Sequence, residues 1–405
     1  PTGKAAARLR EVLADAADLP GLEGVRFPTE TTTVHRLLGI RATGGTPRRH
    51  ANNPLTCKVL VVDEASMIDL GLMVKLVDAI PAHTRLILLG DRDQLASVEA
   101  GSVLDDICAG SEGLPADLAA RIHRLTGADP PAVKRTVPLS GSVAVLEQSW
   151  RYASDSGIGR LSEAVKAGDM GKVLECLEEP GSVDTTLQNC TTVGELSQLL
   201  KVHALSHYSQ NLRLAADGAP AGEILDTFNN LRIVCAHRAG WAGVSGVNRL
   251  VELQLVDAGL IQPGTIWYPG RPVMIMANDY ALGLFNGDVG VALDDPDRPG
   301  QVAVYFPLPN GRFRGIWPGR LPPHETVFAM TVHKSQGSEF DRAILVLPDR
   351  RSPVLSRELL YTALSRAVSS VAIWGSREIL AAAVSQRARR ASGLHHRLSL
   401  PVPVD

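Results

Sequence analysis

Val59-Leu60-Val61-Val62 is a short, wholly apolar and mostly β-branched run bounded by Lys58 and Asp63. That pattern predicts a strand buried in the middle of a parallel sheet. Behind it Leu70, Met73, Val74, Val77 and Ile80 recur at helical spacing until Pro81 stops them. Leu86-Ile87-Leu88-Leu89 then reads as a second buried strand, ending at Gly90-Asp91. Strand, helix, strand in this rhythm is a βαβ unit of a doubly wound sheet, whose ligands sit at the carboxyl ends of the strands. The rhythm returns later: a helix over 156–166, a strand over 231–235 ending at Ala236-His237-Arg238, and strands over 343–347 and 370–374 flanking a helix over roughly 357–367. Between these, residues 265–325 are rich in Gly and Pro and hold short strand-like runs at 272–276, 288–293 and 301–306. They predict a small β-barrel inserted into the second sheet domain.

The composition adds bounds. A chain of 405 residues exceeds one typical core and implies two or three domains. An apolar share of 45% and a charged share of 21% are ordinary for a globular protein. No run of 18 apolar residues occurs, so no membrane span is expected. The five cysteines are odd in number, widely spaced and never in a C-x-x-C pair, as in reduced thiols of a cytoplasmic protein rather than zinc or disulfide frameworks. A formal net charge of −2 leaves room only for a local basic strip on any nucleic-acid face. The chain opens Pro-Thr-Gly-Lys, which leads us to expect that it starts inside a larger protein.

Candidate chemistry gathers at the strand ends. An apolar strand that delivers Asp63-Glu64-Ala65-Ser66 resembles a Walker B arrangement, in which the first carboxylate serves Mg²⁺ and the second the attacking water. An isolated Asp-Glu pair is more often a solvated turn. Here the neighbouring strand ends in Gly90-Asp91-Arg92-Asp93-Gln94, and Gln94 suits a γ-phosphate sensor. Arg151, in Gln148-Ser149-Trp150-Arg151, and Arg366, in Tyr361-Thr362-Ala363-Leu364-Ser365-Arg366, are each an ordinary surface arginine when taken singly. Together they suit the charge of a phosphoryl-transfer transition state. Both come from the second sheet domain and the carboxylates from the first, so ATP is expected where the two meet. Thr331-Val332-His333-Lys334-Ser335-Gln336-Gly337-Ser338-Glu339 is dense in phosphate-contacting groups. Thr2, Lys4, Arg8, Thr33, His35 and Arg36 form two smaller polar-basic clusters that alone would pass for solvated edges.

In order along the chain, Pro1-Thr2-Gly3-Lys4-Ala5-Ala6-Ala7-Arg8-Leu9, Thr33-Val34-His35-Arg36, Val62-Asp63-Glu64-Ala65-Ser66, Leu89-Gly90-Asp91-Arg92-Asp93-Gln94-Leu95, Gln148-Ser149-Trp150-Arg151, the segment 331–339 and the segment 361–366 resemble superfamily 1 helicase motifs Ia, Ib, II, III, IV, V and VI. Within that superfamily the chain most resembles the RecD family, the α subunits of exodeoxyribonuclease V, especially in Leu95-Ala96-Ser97-Val98-Glu99-Ala100-Gly101-Ser102 and Asp155-Ser156-Gly157-Ile158-Gly159. The resemblance implies an α/β fold of two RecA-like parallel-sheet domains, the first incomplete, with an SH3-like β-barrel insert in the second. The expected division is 1–146, then 147–264 with 326–405, then the insert 265–325. It further implies a 5′-to-3′ ATP-dependent DNA helicase using ATP and Mg²⁺, acting in double-strand-break repair and recombination with the other two subunits (RecB and RecC) on single-stranded and duplex-end DNA.

By the same resemblance Asp63 and Glu64 would serve Mg²⁺ and water, Gln94 the γ-phosphate, Arg151 and Arg366 the transition-state charge, and Gly337 and Glu339 the nucleotide. Thr2, Lys4, Arg8, Thr33, His35, Arg36, Thr331, His333, Lys334 and Ser335 would line the DNA path, and a strand-separating hairpin would fall at 39–54. One motif is missing. No G-x-x-x-x-G-K-[S/T] occurs, and Gly3-Lys4 is followed by Ala5, which has no hydroxyl for Mg²⁺. The chain is therefore expected to begin after the phosphate loop, to be inactive as an ATPase alone, and to leave apolar sheet surface uncovered. A stand-alone RecD-like helicase, a helicase domain of a conjugative relaxase and a non-catalytic single-strand-binding module are the alternatives.

Overall fold

The computed structural model describes residues 2–16, 19–21, 25, 27–28, 30–40, 46–97, 99, 101–109, 114–130, 132, 139–146, 149–153, 155–308, 311–388 and 392–398. Their contacts form two compact units, one from 30–149 and 389–405, the other from 2–29 and 150–388.

In the first unit β1 (Val59–Val62) and β2 (Arg85–Leu88) pair in parallel, Val59 opposite Arg85 and Val62 opposite Leu88. The helix Leu70–Asp78 joins them, and Asp69 Oδ1 caps it by accepting from Leu72 N at 2.9 Å. Leu72, Met73 and Leu76 of this helix pack with Val34, Leu38, Leu55, Val62 and Val103 into one core. The expectation of strands buried on both faces is corrected here. Val59, Val61, Ile87 and Leu89 are 37–51% exposed. A parallel pair is buried on both sides only when both sides are covered, and the described residues of this unit cover one. Residues 46–54 make an exposed turn closed by a His50–Asn53 bridge and by Asn53 Nδ2 donating to Arg48 O at 2.7 Å. The rest of the expected hairpin, 41–45, lies outside the described residues.

The second unit holds β3 (Thr185–Gln188), β4 (Leu231–Cys235), β5 (Pro272–Ile275), β6 (Val289–Asp294), β7 (Val302–Pro307), β8 (Phe313–Ile316), β9 (His324–Thr326), β10 (Ala329–Thr331), β11 (Phe340–Val346) and β12 (Ala367–Trp374). Five of them form a parallel sheet in the order β10-β4-β11-β12-β3. All of β4 is buried, Arg232 included. That cation is tolerated because its guanidinium stacks 3.9 Å from the Phe228 ring centroid and donates to Val327 O and Asn229 Oδ1 at 2.9 and 3.0 Å. The insert is an antiparallel five-stranded sheet in the order β8-β7-β6-β5-β9, with its own core of Val273, Ile275, Leu284, Val304 and Phe306. It adds β8 and β9 to the three runs that the sequence marks.

The helix Gly3–Ala16 groups with the second unit rather than with residues 30–149, against the expected division at 146, and residues 389–405 group with the first. Local contacts account for both. Gly3 packs on Phe285 so closely that a β-carbon there would fall 2.8 Å from its Cβ and Cγ, and Arg8 pairs with Glu339. At the other end Ser392 Oγ donates to Asp106 Oδ2 at 2.5 Å.

Candidate functional site

The first cluster lies at the carboxyl ends of β1 and β2. The ladder continues past both strands: Leu89 N donates to Val62 O and Ala65 N to Leu89 O, each at 2.8 Å. This brings the Asp63-Glu64 turn and the Gly90-to-Gln94 turn side by side. Gly90 permits the approach, since a β-carbon there would sit 3.1 and 3.2 Å from Ala65 N and Ser66 N. Asp63 Oδ1 accepts from Glu64 N at 2.8 Å, and Glu64 itself has φ 52° and ψ 41°. No other described non-glycine residue has positive φ. Asp91 orders the second turn by accepting from Asp93 N at 3.0 Å and from Gln94 Nε2 at 3.1 Å. Gln94 Oε1 and Ser66 Oγ are buried without a hydrogen-bond partner among the described residues. Buried oxygens of this kind call for a polar partner such as water or a ligand, and Ser162 Oγ and Asn211 Oδ1 elsewhere in the chain share the property.

The second cluster lies in the second unit at the amino ends of β11 and β12. Glu339 Oε1 accepts from Arg8 Nη2 at 2.6 Å, from Arg151 Nε at 2.9 Å and, at closer range, from Arg151 Nη2. Arg151 Nη1 also donates to Ser365 O at 2.5 Å. Burial pushes the Glu339 carboxyl up, but hydrogen bonds and charge from Arg8 and Arg151 more than reverse this and hold it below the usual range. Arg366 is buried and donates to Thr362 O, Ser338 O and Ser365 Oγ at 3.0, 3.3 and 3.1 Å. Gly337 takes φ 71°, and its carbonyl accepts from Arg8 Nη1 at 3.5 Å.

Residues 332–339 run from the carboxyl end of β10 to the amino end of β11, and so reach the third cluster. Thr331 Oγ1 accepts from Lys334 N at 3.3 Å and Ser335 Oγ donates to Val332 O at 2.8 Å. Lys334 Nζ donates to Asn286 Oδ1 of the insert. Burial lowers the Lys334 pKa; the negative charge of Glu325 raises it and Arg238 lowers it further. Thr2 Oγ1 accepts from Ala5 N at 3.2 Å; the side chain of Lys4 lies outside the described residues. In the first unit Thr33 caps the helix Val34–Leu38 through Arg36 N at 3.3 Å, leaving His35 and Arg36 exposed. Sequence reasoning missed Asn286, Arg238 and its partner Glu325 (2.7 Å). Asn286 lies in a polar loop of the insert, Glu325 in β9, and Arg238 just past the end of β4, where the sequence marks the strand end but not the pairing.

Residues 1–100 match the AAA domain family and residues 326–373 the UvrD-like helicase C-terminal domain family. The RecBCD enzyme subunit RecD of Mycolicibacterium smegmatis is 39% identical over 401 residues, which is 98% of this chain and 65% of that protein. The RecD subunit of Haemophilus influenzae is 35% identical over 419 residues, 97% of this chain and 64% of that protein. Over nearly its whole length the chain is similar to these RecD subunits. This RecD-like chain spans about two thirds of the length of those relatives, 63–65% in the mycobacterial ones. The ATP-dependent RecD2 DNA helicase of Deinococcus radiodurans is 28% identical over 91% of it. Among solved structures, Pif1 helicase from Candida albicans aligns with 93% of the chain and 90% of its own at 16% identity and a TM-score of 0.46. Bacteroides Pif1 in complex with ADP-AlF3 and ssDNA aligns with 93% and 88% at 16% identity and a TM-score of 0.44.

Proposed function

We propose that these residues form the motor of an ATP-dependent, 5′-to-3′ DNA helicase that works in the cytoplasm as the α subunit of an exodeoxyribonuclease V, with RecB- and RecC-type partners, in double-strand-break repair and recombination. The observation that carries the reading is the pairing of the Asp63-Glu64 and Asp91–Gln94 turns at adjacent parallel strand ends, with unpartnered oxygens on Ser66 and Gln94. Magnesium keeps most of its waters and takes few protein carboxylates, so Asp63 alone suits it. Among the described residues there is no cluster of three or more His, Cys, Asp or Glu that could hold a metal. When bound with ATP, the ion would neutralise charge on the β- and γ-phosphates. Glu64 would take the proton of the attacking water, and Gln94 would turn from Asp91 to the γ-phosphate. Arg151 and Arg366 would serve the transition-state charge, exchanging their present oxygen partners for phosphate oxygens, while Gly337 and Glu339 border the nucleotide. Thr2, Lys4, Arg8, Thr33, His35, Arg36, Thr331, His333, Lys334 and Ser335 would hold the DNA strand. The insert would be the SH3-like module and the turn at 46–54 the strand-separating pin.

The 405 residues hold no phosphate loop of the G-x-x-x-x-G-K-[S/T] kind. The backbone N–H cradle for the β- and γ-phosphates then has to come from other sequence. The test is DNA-stimulated ATP hydrolysis. The 405 residues alone show no appreciable turnover. In a chain that also carries the loop, Glu64→Gln lowers turnover about 10²-fold or more while DNA binding persists. Ordinary helicase turnover by the 405 residues, or full activity of the Glu64→Gln variant, would refute the reading.

A further inference from the structure

We propose that Tyr280 is a base-stacking residue for single-stranded DNA, carried by the insert loop 278–286, which meets Lys334 through Asn286. The inference rests on the single-strand reading of Thr331, His333 and Lys334 given above. Tyr280 is 61% exposed, and its ring meets Phe285 only edge-on, with centroids 6.0 Å apart at 75°. The loop that carries it is fixed on every side. Asp279 and Leu284 exchange backbone hydrogen bonds of 2.8 and 3.0 Å, and Asp279 Oδ1 accepts from Leu282 N at 2.9 Å. Asn278 Oδ1 accepts from Asn286 N at 2.9 Å, and Asp288 Oδ2 from Phe285 N at 2.7 Å. The Tyr280 hydroxyl accepts from Asn278 Nδ2 at 3.5 Å, at the long end of the range, and the loop holds the ring largely out in solvent.

Two contacts tie this loop to the candidate strand-contact residues, and a further cation lies near them. Asn286, which closes the loop, accepts from Lys334 Nζ. Phe285, the ring behind Tyr280, is the surface on which Gly3 packs, so Thr2 and the first turn of the helix Gly3–Ala16 stand against the same loop. Arg238, paired with Glu325 at 2.7 Å, adds a second cation close enough to depress the Lys334 pKa. An exposed aromatic ring on a loop tied to a lysine is a combination that suits single strands: cations follow the phosphates and a base stacks on the ring. The same arrangement discriminates poorly among bases, because every base offers a flat face. A motor that must pass along any sequence needs that tolerance.

Fluorescence anisotropy of a labelled oligodeoxythymidylate, titrated at several salt concentrations, tests the assignment. Tyr280→Ala is expected to weaken binding about 5- to 150-fold, the range for loss of one base–aromatic stack. The slope of log affinity against log salt is expected to stay unchanged, since no phosphate contact is lost. Tyr280→Phe keeps the stack and binds as the parent chain does. Lys334→Gln weakens binding and reduces the slope by about 0.7. Circular dichroism checks that each variant folds, and the exposure of Tyr280 predicts that all do. If the parent chain binds, Lys334→Gln lowers the slope and Tyr280→Ala is silent, the stacking role falls and the strand-contact reading stands. If the parent chain fails to bind at low salt, both fall.

Discussion

Replacing Glu339 by Gln removes one charge from a three-residue ionic cluster and keeps its shape, so the change reads the charge alone. A single oxygen, Oε1, accepts from Arg8 at 2.6 Å and from two nitrogens of Arg151. Hydrogen bonds to charged groups contribute about 1.5–3 kcal/mol when buried, and exposed ion pairs about 0.2–1 kcal/mol. The Glu339, Arg8 and Arg151 side chains are 33%, 43% and 26% exposed. Solvent screening therefore puts Arg8 near the lower figure and Arg151 between the two. Gln retains a neutral acceptor, which leaves a net loss of about 1–2 kcal/mol, mostly through Arg151. The pH dependence has a definite sign. A carboxyl held below its usual value in the fold stabilises in full above its unfolded pKa, about 4.3, and loses that contribution as pH falls through the folded value. Urea unfolding of the parent chain and Glu339→Gln should show a gap that is constant from pH 7 to about 5 and narrows below about 4. Molar salt should shrink it as well. Equal stability at pH 7, or a gap that widens on acidification, would refute the assignment.

Three further outcomes follow from other parts of the molecule. Burial first, then the charge of Arg342, depresses the His207 pKa from 6.5 to about 4. The fold holds this imidazole neutral while the unfolded chain takes up a proton, so stability falls as pH drops from about 6.5 towards 4, by about 3 kcal/mol over that window. His207→Phe should abolish that part of the decline in urea midpoints, and parallel pH profiles would count against it. Gly90→Ala should destabilise the first unit by about 1–3 kcal/mol, because its β-carbon would fall 2.8 Å from Leu104 Cδ2 and 3.1 Å from Ala65 N; an unchanged thermal midpoint would contradict the close approach of the two strand-end turns. Glu64→Gly should raise stability by about 0.5–1 kcal/mol, since glycine takes the left-handed conformation without strain, whereas Glu64→Ala should not; scanning calorimetry of the two separates them.

Where local pattern and tertiary surroundings agree, the chain is readable. Val59–Val62 and Leu231–Cys235 are strands by composition and by fact. Thr185–Gln188 and Ala329–Thr331 are strands only because β12 and β4 offer them a partner, and nothing in Thr-Thr-Leu-Gln or Ala-Met-Thr announces it. The half-exposed face of β1 and β2 was illegible for a related reason: an apolar run states that a strand can be buried, not what covers it. Arg151 and Glu339 were each nameable as candidates, but their union joins residues 188 apart in the chain and is set by the path of the sheet. Tyr280 stayed hidden because its meaning lies in a loop tied to Lys334 through Asn286.

Glu64 presents the opposite case, a residue the local rules would have rejected. Its φ of 52° belongs to glycine or asparagine, and a sequence chosen for stability would place one of them after Asp63. Holding a glutamate in that conformation costs about 1–2 kcal/mol, and no hydrogen bond from its side chain caps the 3₁₀ turn that follows. Strain of this kind persists where the side chain is wanted for something other than folding. The strained position falls beside Asp63, against the Gly90 turn and next to the unpartnered Ser66 hydroxyl. The backbone thus singles out, independently of any motif, the same carboxylate that the pattern Val-Asp-Glu-Ala-Ser marks in the sequence.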